Sequence, residues 1–189
     1  GTTGRALLLV RQHPVLSRSM VVHGFYNALT FGVALVGFAA VVRSRGWGSS
    51  TFGTMYAGWA AGLLAGASLL LRWVGGTDRK VRLALVLIVA IGLLVAVLGS
   101  VNSRPLAIGC AAAIGLLGGP VGPALGGYLR LVAGQSSNPG GLTAVQALST
   151  VGVEPIGLLI VGGVLVVAGV SGGLVALGAM ICLAAAWAL

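Results

Sequence analysis

The sequence predicts an all-α membrane protein, a bundle of six transmembrane helices, from its composition and from the length of its uncharged runs. Of its 189 residues, 58% are hydrophobic and only 7% are charged, and the mean hydropathy is +1.09. Ordinary soluble domains carry about 25% charged residues, so a water-soluble domain is excluded. Apolar runs of about 20 residues, the length that crosses a bilayer as a helix, occur six times.

The six runs follow one another with short loops between them. None of them alternates polar and apolar residues, so each run predicts a helix and not a membrane-spanning strand. The predicted spans cover residues 20–42, 51–71, 83–101, 105–129, 142–168 and 172–189. Residues 1–19 are predicted to be a cytoplasmic linker segment, and residues 20–189 a six-helix transmembrane domain. The first residues do not resemble a translation start and the last are still apolar, so we expect a piece of a longer chain.

The positions of the cations predict how these helices are oriented. One side of the predicted bundle carries Arg5, Arg11, Arg18, Arg72, Arg79, Lys80, Arg82 and Arg130, and the other carries Arg43, Arg45 and Arg104. Loops rich in Lys and Arg stay in the cytoplasm, so both ends of the chain are expected there, in a multi-pass protein of a bacterial plasma membrane. These loops account for the net charge of +9, and nucleic acid is not expected as a partner.

Polar side chains form stripes on the first and fifth predicted spans. His23, Asn27 and Thr30 are spaced so that they share one helix face. The stripe on the fifth span comprises Thr143, Gln146, Thr150 and Glu154. Hydrogen bonds between helices explain such stripes, and so does a pathway for a polar substrate. Both interpretations stay open at the level of sequence.

Glu154 is the one charge inside the six runs. An ionisable group near the centre of a bilayer costs about 3 kcal/mol or more and usually faces an internal cavity. At about 1.5 Å per residue, Glu154 is expected about 18 Å along a helix that starts near residue 142, at middle depth. Three roles are open to it: proton coupling, a structural hydrogen bond, and contact with a cationic substrate. Pro155 removes a backbone donor and is expected to loosen the helix there.

Small residues form ladders on the second and fourth predicted spans. The two GxxxGxxxG ladders are Gly58, Gly62 and Gly66, and Gly118, Gly122 and Gly126. Glycine at this spacing lets helix backbones approach closely. Pro120 and Pro123 interrupt the second ladder and predict a bent helix. Trp59, deep in the second span, either lines a cavity or packs in the core.

The remaining features argue against catalysis. The third and sixth spans carry almost no polar side chains and are expected to face lipid. Ser171 lies in a GxSxG sequence in the turn between the last two spans, but a serine nucleophile needs a histidine partner, and both histidines come well before it. Because HExxH, CxxC and P-loop motifs are also missing, we expect no enzymatic activity, no catalytic residue, no metal and no cofactor. Cys110 and Cys182 are predicted to be small side chains buried in apolar runs.

The loop between the second and third spans carries a resemblance to a known family. It reads Leu71-Arg72-Trp73-Val74-Gly75-Gly76-Thr77-Asp78-Arg79-Lys80-Val81-Arg82. In degenerate form it resembles the signature loop of the major facilitator superfamily: a glycine, three residues, Asp-Arg, a glycine and further cations. Asp78, Arg79 and Arg82 match this pattern, whereas Val74 replaces the first glycine and the second is missing. The family places this loop on the cytoplasmic side between the second and third helices of each half.

Two further segments resemble the carboxyl-terminal half of the same family. Residues 11–18 look like the stretch that leads into the seventh helix, and residues 147–157 are similar to the eleventh helix of members that export drugs and siderophores. The charged residues usual in the loop before the eleventh helix are absent from residues 135–141. A gating ion pair in that loop is therefore in doubt.

The resemblance implies one half of a twelve-helix transporter, built as two inverted three-helix repeats, with a substrate site between the halves near mid-membrane. It implies proton-coupled export of a small amphiphilic compound by alternating access. The implied partners are that compound, protons, the lipid bilayer and the amino-terminal six-helix half of the same transporter. Glu154 would carry the coupled proton, and Asp78, Arg79 and Arg82 would form a conformational latch. The substrate pathway would be lined by His23, Asn27, Thr30, Trp59, Gln146 and Thr150.

Two other interpretations of the same residues stay open. The chain is alternatively a transporter-like membrane sensor or scaffold that no longer transports, since the signature loop is degenerate and only one membrane carboxyl remains. It is alternatively a six-helix transporter that acts as a homodimer. Loss of proton-dependent transport in Glu154→Gln would count against the sensor.

Overall fold

The protein is all-helical in the parts that the structure describes. The computed structural model describes residues 14–73, 77–134, 147 and 151–188, and no strand occurs among them. A π-helical turn at Val33–Gly37 joins the first two helices. The helices are α1 (Pro14–Gly32), α2 (Phe38–Ser44), α3 (Ser49–Trp73), α4 (Thr77–Ser100), α5 (Arg104–Gly118), α6 (Val121–Gly134) and α7 (Glu154–Ala188).

Four stretches of these helices are long and apolar enough to cross a membrane, as an integral membrane protein requires. They are Met20–Ser44, Arg79–Ser100, Arg104–Gly127 and Glu154–Ala188. The first three match predicted spans one, three and four, and the last contains the sixth span and most of the fifth. Helix α3 covers the second predicted span but is not one of the four. The count of six spans and the inverted repeats therefore stay predictions.

Helix α7 reverses direction at Gly169. This residue has φ 70° and ψ 172°, a conformation that glycine adopts without the steric cost of a Cβ. The two arms, 154–168 and 170–188, pack against each other beyond the turn: a Cβ on Gly173 would lie 2.8 Å from Leu165 Cδ2 and 3.3 Å from the Val164 carbonyl oxygen. The predicted turn between the last two spans is confirmed.

A second interruption lies between α5 and α6. Helix α5 ends at Gly118 and α6 begins at Val121, with Pro120 between them. The Gly119 N–H still bonds the Gly115 carbonyl at 2.9 Å, and the Ala124 N–H bonds the Pro120 carbonyl at 3.0 Å. The predicted interruption at Pro120 is therefore present as a two-residue turn between the two helices.

Helices α3 and α5 pack with their backbones in direct contact. A Cβ on Gly62 would overlap the Ala112 carbonyl oxygen, and one on Gly66 would overlap that of Leu116. The predicted ladder on α3 therefore does permit close approach. On the facing helix the backbone contact is made by Gly115 and Gly119, which are not part of the predicted ladder, whereas Gly118 of the ladder lies against the Tyr26 hydroxyl and the Leu63 side chain. The break at Pro120 ends the row, so Gly122 has no atom within 4 Å of its would-be Cβ.

The apolar third predicted span is buried along one side and exposed along the other. In α4, Ile88, Ile91, Val95 and Leu98 are buried and Val86, Leu93 and Val97 are exposed. Gly92 of α4 and Gly178 of α7 are packed so closely that a Cβ on Gly178 would overlap the Gly92 carbonyl oxygen. The second arm of α7 is likewise buried along one face. An absence of polar residues therefore does not distinguish an exposed apolar face from a face packed against another helix.

Arg45 joins the loop after α2 to the end of α4. Its Nη2 donates hydrogen bonds to the carbonyls of Leu98 at 3.2 Å and Gly99 at 2.9 Å. These carbonyls belong to the last turn of α4 and lack partners within the helix. The guanidinium carbon also lies 5.3 Å from the centroid of the Trp47 ring. The loop before α3 and the end of α4 therefore lie on the same side of the bundle.

Candidate functional site

A polar cavity lies where α1, α3, the α5–α6 junction and the start of α7 meet. Its volume is about 230 Å³. The residues that bring polar atoms to its lining are Tyr26, Asn27, Thr30, Trp59 and Glu154. Four of these five, all except Tyr26, are predicted site residues, so the structure brings residues from three separate spans into one cavity.

The depth of this cavity follows from positions along the helices. Asn27 and Thr30 lie about 10 and 15 Å from the start of the stretch Met20–Ser44, at about 1.5 Å per residue. Gly118, on the opposite wall, lies about 14 Å from the far end of Arg104–Gly127 by the same measure. A hydrocarbon layer is about 30 Å thick. By this measure the cavity lies midway along the stretch Met20–Ser44 and away from the far end of Arg104–Gly127, and it also includes Glu154, the first residue of α7.

The other walls of the cavity are apolar or lack side chains. They are formed by Phe31, Leu63, Gly118, Gly119 and Gly122. A Cβ on Gly118 would lie 2.6 Å from the Tyr26 hydroxyl, so glycine there makes room for the phenol. At Gly122 the space is open. Of these three glycines, only Gly122 leaves its side-chain position empty.

Glu154 lies at a helix start instead of inside a helix. Residues 151–153 form a turn, and α7 begins at Glu154, with Pro155 as its second residue. Pro155 explains the difference, because proline lacks the backbone donor of a continuous helix but is well accommodated in a first turn. The side chain is half-buried. A carboxylate at this position also interacts favourably with the positive end of the helix dipole.

Close contacts hold the first turn of α7 against α1. A Cβ on Gly157 would overlap the Ala28 carbonyl oxygen, and one on Gly32 would lie 2.7 Å from Val161 Cγ2. Ala28 is the residue after Asn27. The first turn of α7 is therefore packed directly on α1, and Glu154 at its start lines the same cavity as Asn27 and Thr30.

His23 is linked to the cavity through Asn27. The Asn27 Nδ2 lies 3.4 Å from His23 Nε2, a long hydrogen bond in which the amide donates. His23 itself is buried at 3% exposure and is not part of the cavity lining. Its Nδ1 has no hydrogen-bond partner among the described residues. His23, one helical turn before Asn27, therefore helps to orient the Asn27 amide through this hydrogen bond.

Trp59 presents an unpaired donor at the cavity wall. The residue is 9% exposed, and its Nε1 is buried without a hydrogen-bond partner in the described part of the chain. Its ring lies 5.3 Å from that of Tyr56, centroid to centroid. A buried N–H that makes no bond costs about 1–3 kcal/mol.

The remaining predicted site residues fall into two groups. Gln146 and Thr150 lie outside the described residues, as does the side chain of Asp78. Arg79 and Arg82 are exposed on the first turns of α4, far along the chain from the cavity lining. Within the described ranges no three His, Cys, Asp or Glu side chains are grouped as a metal site would require. The Cys182 thiol donates to the Val89 carbonyl at 3.4 Å.

The aromatic and glycine walls of the cavity could not be predicted from the polar stripes. Tyr26 precedes Asn27 and Phe31 follows Thr30, and both also line the cavity. The part of α1 that lines the cavity is therefore wider than the polar stripe alone. Gly122 was assigned to a packing ladder. The signal that could have reassigned it is the Gly-Gly-Pro sequence just before it, which interrupts the helix.

Comparison with known proteins identifies no relative. No protein-family model, no curated protein and no solved structure matches the chain. The resemblance to the major facilitator superfamily consequently depends on the loop and segments quoted above. Evidence on function comes from the cavity itself.

Proposed function

We propose that the chain is the carboxyl-terminal half of a secondary transporter of the major facilitator type. It exports a small amphiphilic compound in exchange for protons, and Glu154 binds and releases the coupled proton. The observation that carries the proposal is the position of Glu154: a carboxyl at the start of α7 that lines one cavity with Asn27 and Thr30, which lie midway along the apolar stretch Met20–Ser44.

Energetics support a functional role for this carboxyl. A charged group at this depth costs several kcal/mol unless a cavity or partner compensates. The described residues offer Glu154 no cation in the cavity lining. A carboxyl without a permanent counter-charge is neutralised by a proton or by a cationic ligand. Either event changes the net charge of the cavity. Coupling of substrate transport to proton movement requires such a change.

The interrupted helix at Glu154 fits the same role. Secondary transporters commonly build their sites from discontinuous helices, because unwound backbone is tolerated in a membrane only where it lines a cavity. Here the turn at residues 151–153 precedes Glu154 directly. The Glu154 N–H bonds the Val151 carbonyl at 3.3 Å.

The size of the cavity supports a site shared with a second half. Sites for small molecules usually measure about 300–1,000 Å³, and this one holds about 230 Å³. A facing six-helix half would complete it. In this proposal Asp78, Arg79 and Arg82, on the first turns of α4, latch one state by contacts across the interface between halves.

Efflux of ethidium, a small amphiphilic cation, tests the proposal in cells that express the complete protein. We expect these cells to accumulate less ethidium than cells that carry the empty vector. This difference in accumulation is expected to vanish when the proton gradient is dissipated. Glu154→Gln, which mimics the neutral carboxyl, is expected to abolish the gradient-dependent part. Glu154→Asp is expected to retain some of it, since it keeps a titratable group.

The controls separate this account from its alternatives. Asn102→Ala changes an exposed polar residue outside the cavity and is expected to transport normally. Transport by Glu154→Gln at the wild-type rate would exclude the carboxyl as the coupling group. A wild type that moves neither ethidium nor other amphiphilic dyes would instead favour the sensor or scaffold. A complete product of about 18.7 kDa would favour the homodimer.

A further inference from the structure

A second cavity lies away from Glu154, between the first turns of α1 and the second arm of α7. It is a groove of about 390 Å³, which we name the α1–α7 groove. The residues that define it are Val21, Phe25, Met180, Leu183, Ala184 and Trp187. Its lining is apolar throughout, in contrast to the cavity at Glu154.

The groove opens on the outer surface of the described bundle. Val21 is 58% exposed, Leu183 70% and Trp187 60%. Both walls belong to stretches apolar enough to cross a membrane. In a bilayer, large apolar side chains exposed at such a surface contact lipid chains instead of water. Their exposure therefore has no hydrophobic cost.

A cation lies at the mouth of the groove. Arg18 is exposed on α1, one turn before Val21, and its guanidinium carbon is 5.5 Å from the centroid of the Trp187 ring. Stacking on an aromatic face leaves the N–H donors at the guanidinium edge free for an anion. In the described part of the chain Arg18 forms no ion pair with a carboxylate. An apolar groove that ends at an unpaired cation complements a molecule with an apolar tail and an anionic head.

We propose that the α1–α7 groove binds one anionic glycerophospholipid of the surrounding bilayer. One acyl chain occupies the groove, and the phosphate receives hydrogen bonds from Arg18. Basic residues beside clefts between transmembrane helices bind anionic headgroups on the cytoplasmic side, which is the side predicted for Arg18. The guanidinium suits the phosphate because its planar donors match two oxygens at once. This site is independent of Glu154 and of transport.

Native mass spectrometry of the complete protein tests the proposal. The protein is released from nanodiscs that hold equal amounts of phosphatidylglycerol and phosphatidylcholine with the same acyl chains. We expect one retained lipid, with phosphatidylglycerol preferred by about fivefold, since one cation contributes about 1 kcal/mol toward an anionic lipid. In Arg18→Gln the preference is expected to disappear. In Arg43→Gln, an exposed cation at the other end of the first span, it is expected to persist.

A second variant tests the groove itself without changing the charge. Ala184→Phe fills the space between the walls and is expected to lower retention of both lipids, with unchanged helicity by circular dichroism. Equal preference in wild type and Arg18→Gln would overturn the role of the cation. Unchanged retention in a folded Ala184→Phe would overturn the groove as the site. A wild-type protein that retains no lipid, because another helix of the complete protein covers the groove, would also overturn the proposal.

Discussion

Gly157 of α7 lies directly on the backbone of Ala28 in α1, so closely that a Cβ on Gly157 would overlap the Ala28 carbonyl oxygen. This contact is three residues beyond Glu154 and one beyond Asn27. It sets how closely the first turn of α7, which carries the carboxyl, approaches α1. The geometry of the site therefore depends on a residue that has no functional group.

Gly157→Ala is expected to push the start of α7 away from α1. Overpacking of this kind costs about 1–3 kcal/mol, and it moves Glu154 away from Asn27, so both the thermal stability in detergent and efflux should fall. Gly163→Ala is the matched control, since it lies in the same helix with no atom within 4 Å of its Cβ position. Loss of efflux in both variants would show that the contact at Ala28 is not the cause.

The contact between α3 and α5 gives a second prediction, on stability. Gly66→Ala places a methyl group onto the Leu116 carbonyl, and the free energy of unfolding is expected to fall by about 1–3 kcal/mol. Gly53→Ala, in the same helix with open space at its Cβ, should be neutral or stabilising by up to about 1 kcal/mol, as alanine is the better helix former. Chemical unfolding followed by circular dichroism measures both. Equal effects of the two substitutions would contradict the packing described.

Filling the cavity gives a third prediction, on function without loss of stability. Gly122→Leu adds a side chain to a wall where nothing lies within 4 Å. We expect normal folding and efflux reduced by about tenfold or more, which corresponds to about 1.4 kcal/mol of lost binding. Gly127→Leu also has open space in α6 but is not in the cavity lining, and it should transport normally. Undiminished efflux in Gly122→Leu would place the substrate elsewhere.

The hydrogen bonds of Arg45 give a fourth prediction. Arg45→Gln removes the donors that bind the carbonyls of Leu98 and Gly99. Hydrogen bonds to charged groups contribute about 1.5–3 kcal/mol when buried, and because Arg45 is partly exposed we expect a loss of about 1 kcal/mol. Arg43→Gln, exposed two residues earlier, should change little. The thermal midpoints of the two variants in the same detergent decide between these outcomes.

Much of the architecture could be predicted because it depends on local signals. The apolar runs mark the helices, Pro120 marks a break, and the glycines around Ser171 mark the turn that reverses α7 at Gly169. The spacing of Asn27 and Thr30 predicted a shared face, and that face lines the cavity. These features follow from periodicity and backbone chemistry within a single segment.

The remaining features depend on contacts between segments, which periodicity does not encode. Gly115 and Gly119 face α3, although the longer glycine ladder suggested Gly118 and Gly122. The two sets of glycines lie on different faces of the same predicted helix. Sequence spacing alone does not tell which face packs against α3. Glu154 was expected inside a helix, because Pro155 is compatible both with a bend and with a first turn.

The most direct test of the central claim, a mid-membrane cavity that opens alternately to the two sides, is the accessibility of Gly122→Cys. The native Cys110 and Cys182 are changed to alanine, and membrane-impermeant maleimide is applied to right-side-out and inverted vesicles. The account predicts that Gly122→Cys is labelled from both sides and that Glu154→Gln changes the ratio of labelling from the two sides. Gly163→Cys, an exposed position of α7 that is not in the cavity lining, is expected to stay unlabelled. Labelling of Gly122→Cys from one side only, with or without Glu154→Gln, would contradict alternating access.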